Sequence, residues 1–201
     1  MARIPARHTV TRNIDQHVKL IADQVRKSLR DPETRQLAVK IVSGKVEYRA
    51  ARPGGVKVPM VSAWGQWFIV PEQNISKPCP PRQDLCEIEL IWNFVVANCR
   101  YVFDIADVDV FATTEQTLSA GGGDCDDATI VFGALLKAVG FYVRARVIST
   151  HDDPNEWVHV YPLVGLPKAS PSKWLPLDCT VTDALPGWEY DSIAKARDYD
   201  L

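Results

Sequence analysis

Three side chains in this sequence have the types and order needed for covalent acyl chemistry: Cys125, His159 and Asp178. A thiol becomes a strong nucleophile once a base takes its proton, and an imidazole does that best when a carboxylate fixes its tautomer. Cys125 lies in Gly121-Gly122-Gly123-Asp124-Cys125-Asp126-Asp127, just before a run in which Ala128, Val131, Phe132, Leu135, Leu136 and Val139 recur at three- and four-residue steps. The glycines predict a turn and the periodic run predicts a helix ended by Gly140, so Cys125 falls in the first helical turn. There the unpaired N–H groups and the helix dipole favour a thiolate and can donate to an oxyanion. Asp124, Asp126 and Asp127 work against this, because like charge disfavours a thiolate. The thiol therefore needs an imidazole.

Two strands are placed to deliver it. Phe141 to Ser149 alternates, as does Trp157-Val158-His159-Val160-Tyr161, which puts His159 on the face of Trp157 and Tyr161. Beyond a Pro- and Ser-rich loop, Lys173-Trp174-Leu175-Pro176-Leu177-Asp178 places Asp178 at the end of a third strand. The three form an antiparallel meander in which His159 and Asp178 come within one hydrogen bond. A histidine or a cysteine taken alone is more often a packed core residue; the order Cys, His, Asp on these elements is what singles them out.

The surrounding elements follow from periodicity and punctuation. Residues 1–13 form an extended basic arm, and 14–44 two helices separated by the capping sequence Asp31-Pro32-Glu33. Residues 45–83, rich in proline and glycine, form an elaboration with short β pieces near Val46–Tyr48 and Trp67–Val70. Its tryptophans make either a binding surface or a satellite core cluster. A third helix opens at Asp84 and carries Leu85, Ile88, Ile91, Trp92, Val95 and Cys99 on one face. A loop through Asp107 and Asp109 then leads to a helical turn at Thr114–Leu118. The core runs over 84–190, and 191–201 is a C-terminal tail.

At 201 residues, with 46% hydrophobic residues, the chain can bury a core without disulfides. A net charge of −2 gives no reason to expect a nucleic-acid partner. No apolar run is long enough to span a bilayer, and the N-terminus lacks the apolar stretch of a secretory signal. The five cysteines, odd in number and widely spaced, read as free thiols of a reducing cytosol. No cysteine–histidine pairing has the spacing of a zinc site.

Several stretches together resemble the transglutaminase-like superfamily, with its papain-type cysteine hydrolase fold, and are most similar to versions encoded by tailed bacteriophages. They are Gly121–Asp127 with its apolar helix, Leu135–Val147, Trp157–Tyr161 and Trp174–Thr180. The resemblance runs from about Asp84 to Trp188, is weaker over 14–44, and has no counterpart for 45–83. It implies an α+β fold, with the cysteine helix packed on an antiparallel sheet. It also implies Cys125 as nucleophile, His159 as general base and Asp178 as orienter, acting through a thioester on a protein or peptide substrate with no required cofactor. Trp92, Asn98 and Gln116 are the candidates for the family's upstream oxyanion side chain. Cys179 stands where relatives have a small residue such as alanine. A related calcium-dependent branch has acids around its cysteine, which implies calcium at Asp124, Asp126 and Asp127; the plainer reading is that these acids cap the helix. Phage structural proteins are the partners the resemblance suggests, and host cytoplasm or virion the location. A docking module of the virion is the rival to a hydrolase.

Overall fold

Capping residues start the first two helices. Asn13 accepts from the Gln16 N–H, and helix α1 (Ile14–Arg30) buries Ile14, Val18, Ile21, Ala22 and Val25 along one stripe. Asp31 accepts from the Glu33 and Thr34 N–H groups, and with Pro32 in the first turn it starts helix α2 (Pro32–Val42). The computed structural model describes residues 13–50, 53–75, 78–103, 110–151, 153 and 156–201. The arm expected over 1–13, apart from Asn13, the loop through Asp107 and Asp109, and part of the turn at 151–155 lie outside these residues.

Residues 45–83 are more regular than their punctuation predicts. Strands β1 (Glu47–Ala50), β2 (Lys57–Ala63) and β3 (Gln66–Ile69) form an antiparallel sheet in that order. The sequence gives no warning of β2, because Pro59 argues against a strand there. Pro59 lies beyond the last β2–β3 pair, Met60 opposite Ile69, and its carbonyl still accepts from the Val70 N–H. Trp64 and Gly65, both at positive φ (49° and 71°), make the two-residue turn between β2 and β3. Val61, Ala63, Phe68 and Val70 join the main core rather than a satellite cluster. The Trp64 indole donates to Asp31.

Helix α3 (Asp84–Asn98) follows, tethered at its first turn by a Cys79–Cys86 disulfide; this corrects the expectation of five free thiols, which holds only for Cys99, Cys125 and Cys179. Strand β4 (Arg100–Tyr101) pairs in parallel with β5 (Gly122–Gly123). Between them, helix α4 (Thr114–Ala120) has a capping box in which Thr113 and Gln116 exchange hydrogen bonds, and Gly121 at φ 73° ends it. The three glycines are thus a helix stop followed by a side-chain-free ribbon, not only a turn. Helix α5 (Cys125–Ala138) comes next, with every residue from Cys125 to Leu136 buried. It packs against α1, α2, α3, α4 and the main sheet.

That sheet has the order β8-β7-β6-β9 and is antiparallel throughout, built from β6 (Val143–Ser149), β7 (His159–Leu166), β8 (Lys173–Pro176) and β9 (Lys195–Asp200). The fold is α+β, as expected. Strand β9 corrects the reading of 191–201 as a tail. Its charged residues suggest solvation, but the register sets Asp200 against Arg144 and Asp198 against Arg146, each pair bonded at 2.7 Å. Leu201 then enters the core, close to Gly133 of α5.

Gly122 leaves no room for a side chain: a Cβ there would lie 2.4 Å from the Arg100 carbonyl oxygen. Gly122→Ala is therefore expected to part β4 from β5 and lower the thermal midpoint by roughly 5 °C or more. Calorimetry of the variant measures this, and an unchanged midpoint would refute the close packing.

Candidate active site

The head of α5 is assembled from its own acids. Asp124 Oδ1 accepts from the Asp126 N–H at 2.9 Å and the Asp127 N–H at 3.1 Å, and the Asp124 carbonyl accepts from the Ala128 N–H. The Cys125 N–H, one residue earlier, is not among the donors so used. Asp126 Oδ1 lies 3.0 Å from His17 Nε2, and Asp127 Oδ1 accepts from the Ala112 N–H at 2.9 Å. The three acids thus serve as cap and inter-element links. Among the described residues, no group of three or more His, Cys, Asp or Glu side chains is spaced to hold a metal. The hydrogen bonds of these acids occupy carboxylate oxygens that a calcium ion at Asp124, Asp126 and Asp127 would use.

Cys125 is 2% exposed. Burial pushes its thiol up, and Asp126, Asp124 and Asp178 push the same way; the Val160 backbone N–H opposes them by stabilising the thiolate. In this environment the sulfur rests as a thiol.

Val160 follows His159, the first residue of β7, so the sulfur docks on the strand that carries the imidazole. His159 is 1% exposed and Asp178 3%, and Nε2 of the ring lies 2.7 Å from Asp178 Oδ2. The pairing of β7 and β8 continues through Leu177 N–H to the Pro162 carbonyl. That sets Asp178 level with Tyr161, one same-face step from His159. Asp178 Oδ1 accepts from the Thr180 N–H at 3.0 Å and the Thr180 hydroxyl at 2.7 Å. Burial alone would raise the Asp178 carboxyl, but His159 and these Thr180 bonds hold it below the ordinary range. The ring is held between Tyr161 and Tyr190, with centroids 5.7 and 5.6 Å away. With Nε2 committed to Asp178, Nδ1 is the nitrogen left for proton exchange.

The structure therefore joins His159 directly to Asp178 and brings Cys125 to the adjacent backbone. The three residues considered for the oxyanion site are elsewhere engaged. Trp92 stacks on Phe132 in the core at 5.7 Å. Asn98 clamps β3, accepting from the Ile69 N–H and donating to the Ile69 carbonyl. Gln116 belongs to the α4 capping box. His17, Thr180 and Tyr190 were not singled out from the sequence. Only Thr180 carried a local signal there, a hydroxyl two residues after an aspartate.

The family model of the transglutaminase-like superfamily matches residues 72–179, over half of the chain. The chain belongs to the transglutaminase-like superfamily. A comparison with curated proteins returned no match. The superfamily comprises cysteine hydrolases and acyltransferases, and the segment of this transglutaminase-like chain that matches contains Cys125, His159 and Asp178. Helix α1, β9 and the whole three-stranded sheet lie outside it. No described helix is long and apolar enough to cross a membrane.

Asp178→Ala leaves the buried imidazole without its acceptor and is expected to cost about 3 kcal/mol, measured by chemical denaturation. Because the folded carboxyl is held low, its contribution is complete above its ordinary value of 3.8 and is lost as pH falls through the lowered folded value. The stability gap between parent and variant should thus be flat at neutral pH and close only in acid. A gap that instead widens in acid would contradict the assignment.

Proposed function

We propose that this chain is a cysteine hydrolase of peptide or amide bonds that works through a thioester, with Cys125 as nucleophile, His159 as base and Asp178 as orienter. The observation that carries the reading is the buried 2.7 Å contact between His159 and Asp178 on the strand where the Cys125 sulfur docks.

The chemistry follows from the charges. Because Cys125 rests as a thiol, its proton passes to His159 Nδ1 as the sulfur attacks the carbonyl carbon. The imidazolium formed is stabilised by the Asp178 carboxylate. The negative oxygen of the tetrahedral intermediate accepts from the Cys125 N–H. The C–N bond breaks, the amine leaves with the proton from His159, and a thioester remains. Water, deprotonated by His159, attacks the thioester; the acid departs and the sulfur recovers its proton. An amine in place of water gives transamidation by the same route, so substrate access decides between the two outcomes.

The resemblance of the Gly121–Asp127 motif to phage-encoded relatives supports a phage or prophage source, acting in the host cytoplasm or the virion on a viral structural protein or cell-wall peptide. The burial of all three residues favours a second reading beside it, a virion docking module whose triad is secondary. Stoichiometric copies in purified particles, unchanged by Cys125→Ala, would support that reading.

An electrophilic peptide probe with mass mapping tests the first reading. Labelling is expected at Cys125 before Cys99 and Cys179, slower by on the order of a hundredfold or more in His159→Ala. Equal labelling of the three free cysteines in the native chain would overturn it.

A further inference from the structure

The nucleophile's helix is linked to a second histidine that the reaction does not use. His17, in the first turn of α1, is 3% exposed, and its Nε2 lies 3.0 Å from Oδ1 of Asp126, itself 5% exposed. The two residues are 109 positions apart in sequence. The edge of the His17 ring meets Phe111 with centroids 4.9 Å apart. Asp126 immediately follows Cys125, and a carboxylate at that position opposes ionisation of the sulfur. A hydrogen bond from an imidazole N–H delocalises that charge and holds the carboxylate to one geometry.

Resting on the hydrolase reading, we infer that His17 is a positioning residue for the nucleophile: by donating Nε2–H to Asp126 it moderates the negative field beside Cys125 and fixes the first turn of α5. Two histidine–aspartate pairs then act on one sulfur from opposite ends of the chain. His159 with Asp178 takes its proton, while His17 with Asp126 sets how easily the proton leaves. His17 lies outside the segment shared with the superfamily, so this control is built by the N-terminal helix.

The groups that bear on the sulfur from the packed elements are Asp124 and Asp126 on its own helix, Tyr101 on β4, and Asp178 and Tyr190 on the sheet side, with the His159 ring against Tyr190. Of these, Asp126 is the one that His17 holds.

The test is the rate of Cys125 alkylation by iodoacetamide as a function of pH, read on the full chain by mass mapping. His17→Ala should move the profile to higher pH and slow alkylation near neutrality on the order of three- to tenfold. His17→Gln, which keeps an N–H donor without a titrating ring, should restore most of the rate. Asp126→Asn should move the profile to lower pH, and adding His17→Gln to it should change nothing further. If His17→Ala does not fold, the glutamine and asparagine variants decide. A profile unmoved by Asp126→Asn, or a further shift from His17→Gln in that background, would overturn the inference. Failure of Cys125 to label first in the parent would instead sink the hydrolase reading, so the two failures are distinguishable.

Discussion

Helix α5 is buried on every side, yet three of its capping and first-turn positions carry carboxylates, Asp124, Asp126 and Asp127, each at most 6% exposed. A buried carboxylate costs several kcal/mol unless hydrogen bonds replace its water. Two of the three acids reach a donor that only the correct tertiary arrangement supplies. Asp124 turns back on its own helix, Asp126 draws in α1 through His17, and Asp127 holds the approach to α4 through the Ala112 N–H. The docking of α1 and of the 110–113 segment is therefore tied to the same few atoms that hold Cys125.

The same constraint shapes the chemistry. Crowding carboxylates around a buried sulfur makes a poor spontaneous thiolate, so reactivity cannot come from the helix dipole alone. The negative surroundings keep Cys125 protonated, and in the proposed reaction that places the work on proton transfer to His159. Asp178, committed to His159 through one oxygen and to Thr180 through the other, cannot swing away. Tyr161 steadies the ring from the strand face and is itself fixed by Glu189, which Arg146 holds at 2.7 Å. The His159 ring is thus anchored through residues of β6, β7 and the segment after β8.

Much of this was legible in the sequence because it is local. A helix with Cys125 in its first turn, strands around 143–149 and 173–176, and the cap at Asp31 depend on periodicity and on residues three or four apart. What escaped was set by pairing across long separations. Strand β9 looks like a solvated tail until Arg144 and Arg146 are laid beside Asp200 and Asp198. Strand β2 is disguised by Pro59, whose cost disappears only in the observed register. Asn98 and Gln116 looked available as oxyanion donors because sequence shows the amides but not the backbone they bind. The Cys79–Cys86 bridge joins residues too close together for composition to distinguish it from two free thiols.

Helix α1 has the outward form of an appendage: it precedes the shared segment, its polar face is charged, and its apolar stripe would suit any bundle. Its buried histidine argues otherwise. A histidine on an apolar stripe is unfavourable to bury without a partner, and leucine would pack there at no polar cost. The partner it finds is the carboxylate beside Cys125, which would be uncompensated were α1 to undock. Burial of the helix and pairing of that carboxylate are therefore one event. The thiol environment thus draws on α1 and on Tyr190, both outside the segment the superfamily shares.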